Sequence, residues 1–525
     1  MSPARLSTLT YFITVFLTGA AVLIFEIAAV RLLAPYFGSS LYVLSSVLST
    51  VLLALSLGYY FGGRLADRVP HYLPLYTIIG SAGIMMLLLQ LISLYLLPFS
   101  NQVFGLATGP LFLSFLLFFI PAFLLGIDSP FVIKLLSQNK ADGHDGAVVG
   151  STFFWSTIGS IVGSISAGFY FIPYIGLNAT ISYVSLTLIL WSIIAGYIQS
   201  KTTPAGADDI KLPFPRFIMV AAALALGLVL GNATLNFTPR TSTEITLYRA
   251  DAFYSNLHIF DRTYGTTTYR FLKNDINNSS AIIPGSQDIV FPYAQFADVF
   301  MSNKPDAKNY LVLGGGSYTI PRAIHYRYPT LPITVVETEG RLYSLAKEFF
   351  ELPDTSLITN YEMDARVFLQ STTTTYDAVF SDVMNSGHFL PPHLSTVEFF
   401  ETMRTSLSPD GIAVINFIGS LPNEDISLTG SMIKTITHVF PNYKLVAING
   451  PGFTGVQNIL FIVRHQGQPI TIPETPIKNI FTGNATPGNQ LVVYGQFNYT
   501  NQVLFTDDRS LLEPLVFKQF ASIKL

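Results

Sequence analysis

Tyr310-Leu-Val-Leu-Gly-Gly-Gly-Ser317, followed by Ile333-Thr-Val-Val-Glu337, is the stretch on which the fold turns. Tyr310–Leu313 is a short apolar run of the kind a fully buried strand needs, and three glycines close it with a turn. Residues 319–328 carry a helical pattern, after which the apolar run 333–337 ends on an acid. The same alternation continues outward: helix signals over 341–350, a strand at Tyr376–Ser381, and a helix over 396–407 stopped by Pro409-Asp410-Gly411. A strand at Ile412–Phe417 follows. Short strands alternating with helices imply a parallel sheet covered on both faces, so an α/β Rossmann-type domain is expected over 301–525.

Upstream, Ile245–Tyr248, Leu257–Phe260 and Thr267–Leu272 read as strands separated by polar turns, giving a small β-rich element over 232–300. The stretch 274–280, with Asn277 and Asn278, reads as a solvated turn.

The first 231 residues have a different character. Half of the 525-residue chain is apolar, only 12% is charged, and mean hydropathy is +0.46. Soluble domains carry about 25% charged residues, and the shortfall is concentrated in 1–231. A bilayer span takes about 20 apolar residues. Seven candidates fit, at about 11–33, 41–62, 73–97, 104–126, 148–171, 177–198 and 215–231, with breaks at Pro, Gly and charged positions that include Asp128 to Gly146. The expected architecture is an α-helical polytopic membrane domain (1–231) followed by the small β element and the Rossmann-type domain. The first span is too long for a cleavable signal. Arg5, Arg64, Arg68, Lys134, Lys140, Lys201, Lys211 and Arg216 fall on the N-terminal side, against Arg31 and Arg240 opposite. The positive-inside rule therefore predicts a cytoplasmic N-terminus in a plasma or inner membrane, and seven spans would put the C-terminal domain outside. Gly159 and Gly163 form a G-x-x-x-G pair suited to close helix packing. Glu26 lies inside the first span, where a carboxylate is costly; both a structural role beside Arg31 and a transport or proton role are open.

Net charge is −3 with no basic tract, which argues against a nucleic-acid partner. Cysteine is absent, excluding disulfides and thiolate chemistry. His388 and His393 flank Pro391-Pro392; without acidic neighbours they read as loop residues, and no metal site is expected. What remains is a series at strand ends: Gly314, Gly315, Gly316, Glu337, Asp364-Ala365 and Asp382. Doubly wound sheets bind ligands there. A glycine turn admits a ligand close to backbone, and a carboxylate at Glu337 can accept from both hydroxyls of a ribose.

These motifs resemble the spermidine synthase (polyamine aminopropyltransferase) family. The matching pieces are Leu311-Val-Leu-Gly-Gly-Gly316, Val335-Val-Glu-Thr-Glu339, Met363-Asp-Ala-Arg366, Tyr376-Asp-Ala-Val-Phe-Ser-Asp382 and Leu407-Ser-Pro-Asp-Gly411. The apolar half is similar to the multi-span region of membrane-fused members at Glu26–Gly38, Gly62–Arg68 and Gly159–Gly176. The resemblance implies a nucleoside site in which Gly314–Gly316, Ser317, Glu337, Asp364 and Ala365 hold decarboxylated S-adenosylmethionine, with Glu337 on the ribose and Asp364 on the adenine edge. It implies Asp382 as the catalytic carboxylate, with Tyr293, Gln295 and Asn385 on the amine. The chain departs from the family pattern at three acidic positions: Asn385 stands for the second acid of an Asp-x-x-Asp pair, Ser317 for an Asp, and Ala294-Gln295 for His-Glu. Three functions follow as expectations. One is a membrane-anchored aminopropyltransferase acting on a small-molecule amine. The second is a methyltransferase using S-adenosylmethionine. The third is a non-catalytic Rossmann module serving as scaffold, sensor or transport-associated domain. The bilayer is the expected partner, with a homodimer admitted.

Overall fold

The structure, a computed structural model, describes residues 2–521 apart from 39, 104–107, 139–144, 203–243, 253–254, 276, 385–389, 422–425, 467–468, 480–482, 495–500 and 509. The chain divides into two compact units, Met1–Pro239 and Arg240–Leu525.

The first unit is helical: α1 Pro3–Phe37, α2 Leu41–Arg68, α3 Tyr72–Val103, α4 Gly109–Gly126, α5 Asp128–Gln138, α6 Asp145–Ser166 with a π-helical continuation Ala167–Ile175, and α7 Leu177–Thr202. Among the described residues six helices are long and apolar enough to cross a membrane, α4 and α5 counting as one. The seventh sequence candidate, 215–231, lies outside the described residues. Small residues set the closest crossings, as the G-x-x-x-G reading anticipates. A Cβ on Gly159 would lie 2.0 Å from the Phe16 carbonyl oxygen, and one on Gly163 2.5 Å from that of Ala20. Both glycines therefore let α6 ride directly on the backbone of α1. Asp128, assigned to a break between spans, begins α5 and is only 1% exposed. Only Ile127 separates α4 from α5, so the chain stays at depth instead of leaving the apolar unit.

The second unit opens with an antiparallel sheet in the order β1-β2-β3-β4, built from β1 Glu244–Asp251, β2 Asn256–Tyr264, β3 Thr267–Asn274 and β4 Asn277–Ile282. The last strand corrects the reading of 274–280 as a solvated turn: residues 277–282 pair with β3, and Ser280, Ala281 and Ile282 are buried. Their polarity hid a strand held by its ladder. A 3-10 helix, Pro292–Ser302, leads into β5 Tyr310–Leu313. Then come α8 Thr319–Arg327, β6 Ile333–Glu337, α9 Arg341–Phe349, β7 Ile358–Glu362, α10 Ala365–Ser371 and β8 Tyr376–Ser381. α11 Val397–Thr405, β9 Leu407–Gly419, α12 Leu428–Val439, β10 Asn442–Ala447 and β11 Gln457–Arg464 complete the large sheet. The hairpin β12 Pro476–Asn479 and β13 Asn484–Pro487 and the helix α13 Leu512–Ala521 follow.

The large sheet runs β10-β11-β9-β8-β5-β6-β7, parallel from β9 to β7 and antiparallel at β11 and β10. Strand order reverses between β5 and β8, which makes their carboxyl ends the switch point where such sheets bind ligands. Leu257, Ile259, Leu272 and Ile282 of the small sheet share one apolar core with Val312, Val335, Phe380 and Val414 of the large one. The two sheets thus bury one another instead of forming separate cores.

Candidate functional site at the sheet switch point

The glycine turn after β5 is shaped by what surrounds it. Gly314 (φ 89°) and Gly316 (φ 53°) take left-handed backbone, which side chains other than Gly adopt at a cost. A Cβ on Gly314 would also stand 2.4 Å from the Asp382 carbonyl oxygen. The turns after β5 and β8 therefore meet backbone to backbone, and the Asp382 N–H donates to the Leu313 carbonyl at 2.8 Å. Tyr318 (φ 60°) is strained in the same way and is fully buried, with its hydroxyl donating to Asn360 at 2.5 Å.

Glu337 ends β6. Its Oε2 accepts from the N–H groups of Gly315 and Gly316, both at 2.9 Å, and its Oε1 from the Glu339 N–H at 3.0 Å. The carboxylate is thus braced against the glycine turn. Ser317 is 2% exposed and donates to the Ser280 hydroxyl at 2.6 Å. Ser280 comes from β4 and was missed from sequence because its segment reads as a turn.

Asp364 caps α10, accepting from the N–H groups of Arg366 (2.8 Å) and Val367 (3.2 Å); Ala365 behind it is buried. Its second oxygen meets His393 Nε2 at 2.9 Å. Burial pushes the Asp364 carboxyl up, but the His393 contact and the backbone donors outweigh this and hold it below the usual range. His393 therefore has an acidic partner, contrary to the sequence expectation; the two sit on different elements and only the fold joins them. Arg366 fixes this corner by donating to the His393 carbonyl at 3.1 Å and to both oxygens of Asp507.

Asp382 follows β8. Its Oδ2 accepts from the Tyr293 hydroxyl at 2.9 Å and its Oδ1 from Asn416 Nδ2 at 2.7 Å. Burial raises its carboxyl above the usual range. The Asn416 and Tyr293 hydrogen bonds oppose that, and the charge of Glu337 adds to it. The Tyr293 hydroxyl is pushed well up by burial and by Asp382, so it remains a donor. Asn416 in turn accepts from Asn458 Nδ2 at 3.1 Å. Both asparagines were missed, although Asn416 is a lone amide in the apolar run Ile412–Phe417, which is the signal that marks it.

The fold therefore gathers Gly314–Gly316, Ser317, Glu337, Asp364, Ala365, Asp382 and Tyr293 at the carboxyl ends of β5 to β8. Gln295 is engaged elsewhere: its side chain accepts from the Lys478 N–H at 3.0 Å and donates to the Lys478 carbonyl at 2.8 Å, stitching the 3-10 helix to β12. Asn385 and His388 lie outside the described residues.

A doubly wound sheet with a glycine turn after β5, acids following β6 and β7 and a third acid across the switch point defines an α/β domain of the Rossmann type. Residues 293–472 match the spermine/spermidine synthase domain family, so this chain carries a spermidine synthase-like domain behind its apolar helices. A probable polyamine aminopropyl transferase of Bifidobacterium longum is 27% identical over 265 residues, covering 49% of this chain and 57% of its own length. A polyamine aminopropyltransferase of Leptospira interrogans is 21% identical over 422 residues, covering 77% of this chain and 78% of its own. Among solved structures, a probable spermidine synthase from Corynebacterium glutamicum is 26% identical with a TM-score of 0.37, covering 43% of this chain and 81% of its own. The chain spans a little over half the length of several of the relatives it matches.

Proposed function

We propose that the α/β unit transfers an aminopropyl group from decarboxylated S-adenosylmethionine to an amine, and that the apolar helices anchor it in a bilayer. Glu337 and the glycine turn take the ribose and Asp364 the adenine edge. The amine nitrogen attacks the methylene beside the sulfonium; a C–N bond forms, the C–S bond breaks, and methylthioadenosine leaves. An amine arrives as an ammonium and must shed a proton before it can attack. Asp382 is the group assigned to hold the cation and take that proton. The observation carrying this reading is the environment of Asp382: a partly buried carboxylate at the switch point, fixed by two neutral donors and inclined toward protonation.

The amine end differs from the family pattern. Ser317 is spent on Ser280 and Gln295 on Lys478, so neither replaces the carboxylate that the pattern has at its position. We infer that the amine is recognised through one ammonium group rather than two. The test is release of methylthioadenosine by the full-length protein, with decarboxylated S-adenosylmethionine and a panel of mono- and diamines. Amine-dependent release is expected, with a monoamine serving nearly as well as a diamine. No turnover with any amine rejects the reading, and preferential binding of S-adenosylmethionine would turn it toward methyl transfer. A reporter fused to the C-terminus fixes the side of the membrane; a cytoplasmic signal is expected for an enzyme using this nucleoside.

A further inference from the structure

Along α1, Ser7, Tyr11, Thr14 and Thr18 recur at intervals that place them on one helix face. Each meets a polar partner from the sequence or from another helix. The Ser7 hydroxyl donates to Gln199 Oε1 at 2.7 Å and is itself half-buried. Deeper in, Thr14 lies 3.4 Å from the Tyr76 hydroxyl and accepts from Trp191 Nε1 at 3.0 Å. Thr18, close to the middle of α1, donates to Asp128 Oδ2. Tyr11, Thr14, Thr18 and Tyr76 are all under 5% exposed. A polar file thus enters near the start of α1 and stops at one carboxylate inside an otherwise apolar unit.

That carboxylate is incompletely satisfied. Asp128 is 1% exposed, and its Oδ1 meets no donor among the described residues. Lys134, the nearest described cation along the chain, is paired with Asp67 at 2.7 Å. The titratable groups placed to feel the Asp128 charge are phenols, Tyr59 on α2 and Tyr76 on α3. Asp128 also sits where α4 gives way to α5. There a Cβ on Gly58 of α2 would stand 2.8 Å from the Gly126 Cα, so the backbones touch. Interrupted helices with an ionisable group at depth are where membrane proteins build cation sites. A lone buried carboxylate needs a compensating positive charge.

We infer that Asp128 is the seat of a monovalent cation site, taking one hydrogen-bond-donating cation, a proton or a primary ammonium, on its open Oδ1, with the α1 polar file as the way in. The site is independent of the nucleoside pocket and of the reaction proposed for it. Full-length protein in lipid nanodiscs tests it, by infrared difference spectroscopy of carboxyl groups across a pH titration with and without methylammonium. The wild type is expected to show an Asp128-dependent buried carboxylic-acid band that disappears as pH rises or as methylammonium is added. Asp128→Asn should lack that band and retain about tenfold less radiolabelled methylammonium, whereas Asp382→Asn and Glu26→Gln should keep both signals. Loss to pH alone identifies the proton; loss to methylammonium at fixed pH identifies the ammonium. Should Asp128→Asn fail to fold, Thr18→Val removes the hydroxyl donor and must shift the band. The inference is overturned if the Asp128-dependent band responds to neither pH nor methylammonium, or if Thr18→Val leaves the wild-type band where it was.

Discussion

The two ends of the candidate site are built on different principles. At the Glu337 end, two carboxylates are each tied to backbone N–H groups, Glu337 to the glycine turn and Asp364 to the start of α10. At the Asp382 end, one carboxylate is held by two neutral side chains, Tyr293 and Asn416. Backbone donors fix a carboxylate in place, and at Asp364 they join His393 in holding the carboxyl below its usual range, which suits recognition of neutral hydroxyl and amino donors. At Asp382 burial raises the carboxyl above its usual range and the two neutral donors oppose this only in part, which suits taking a proton. On the proposed function, this difference divides binding from chemistry.

Substitutions sharpen that division. Asp382→Asn should cost the largest factor, about 10²–10⁴ in kcat, the usual worth of a general base, while calorimetry finds methylthioadenosine binding unchanged. Equal losses in both would break the division. Glu337→Gln should do the reverse, weakening methylthioadenosine binding by about 1.5–3 kcal/mol, roughly ten- to a hundredfold in Kd, with little change in kcat at saturation.

A subtler probe is Asn416→Ala. Asn416 donates to the Asp382 carboxylate and favours its charged form, so its loss lets the already raised pKa climb further. The acid limb of the kcat profile should move to higher pH, with a drop of about tenfold or less at neutral pH. A rate loss without movement of the limb would make Asn416 merely structural. The smallest effect is expected at Asp364, whose folded pKa is depressed. Its contribution to stability is present above the unfolded pKa and lost as pH falls through the folded one. Urea unfolding of Asp364→Asn should therefore depend less on pH than the wild type below about pH 4.

How much of this was written in the sequence depends on the range of the interaction. β5, β6 and β8 could be read because each is a short apolar run ending on a glycine turn or an acid, and the acids carry the site with them. β4 could not, because Asn277–Ser280 is polar and its strand character comes from pairing with β3. The same distance effect hid His393 from Asp364, and Ser280 from Ser317. Asp128 was misplaced for a related reason: a charged residue between apolar runs reads as a loop unless a hydroxyl from another helix, here Thr18, is known to meet it.

The proposed reaction requires a working nucleoside end joined to an amine end of reduced charge. The direct measurement is calorimetric titration of the full-length protein with methylthioadenosine, then of the loaded protein with butylamine and 1,4-diaminobutane in turn. Saturable methylthioadenosine binding that Glu337→Gln weakens is expected, with the affinities of the two amines agreeing within about tenfold. Failure of methylthioadenosine to bind, or a diamine that binds the loaded protein about a hundredfold more tightly than the monoamine, contradicts the proposed site.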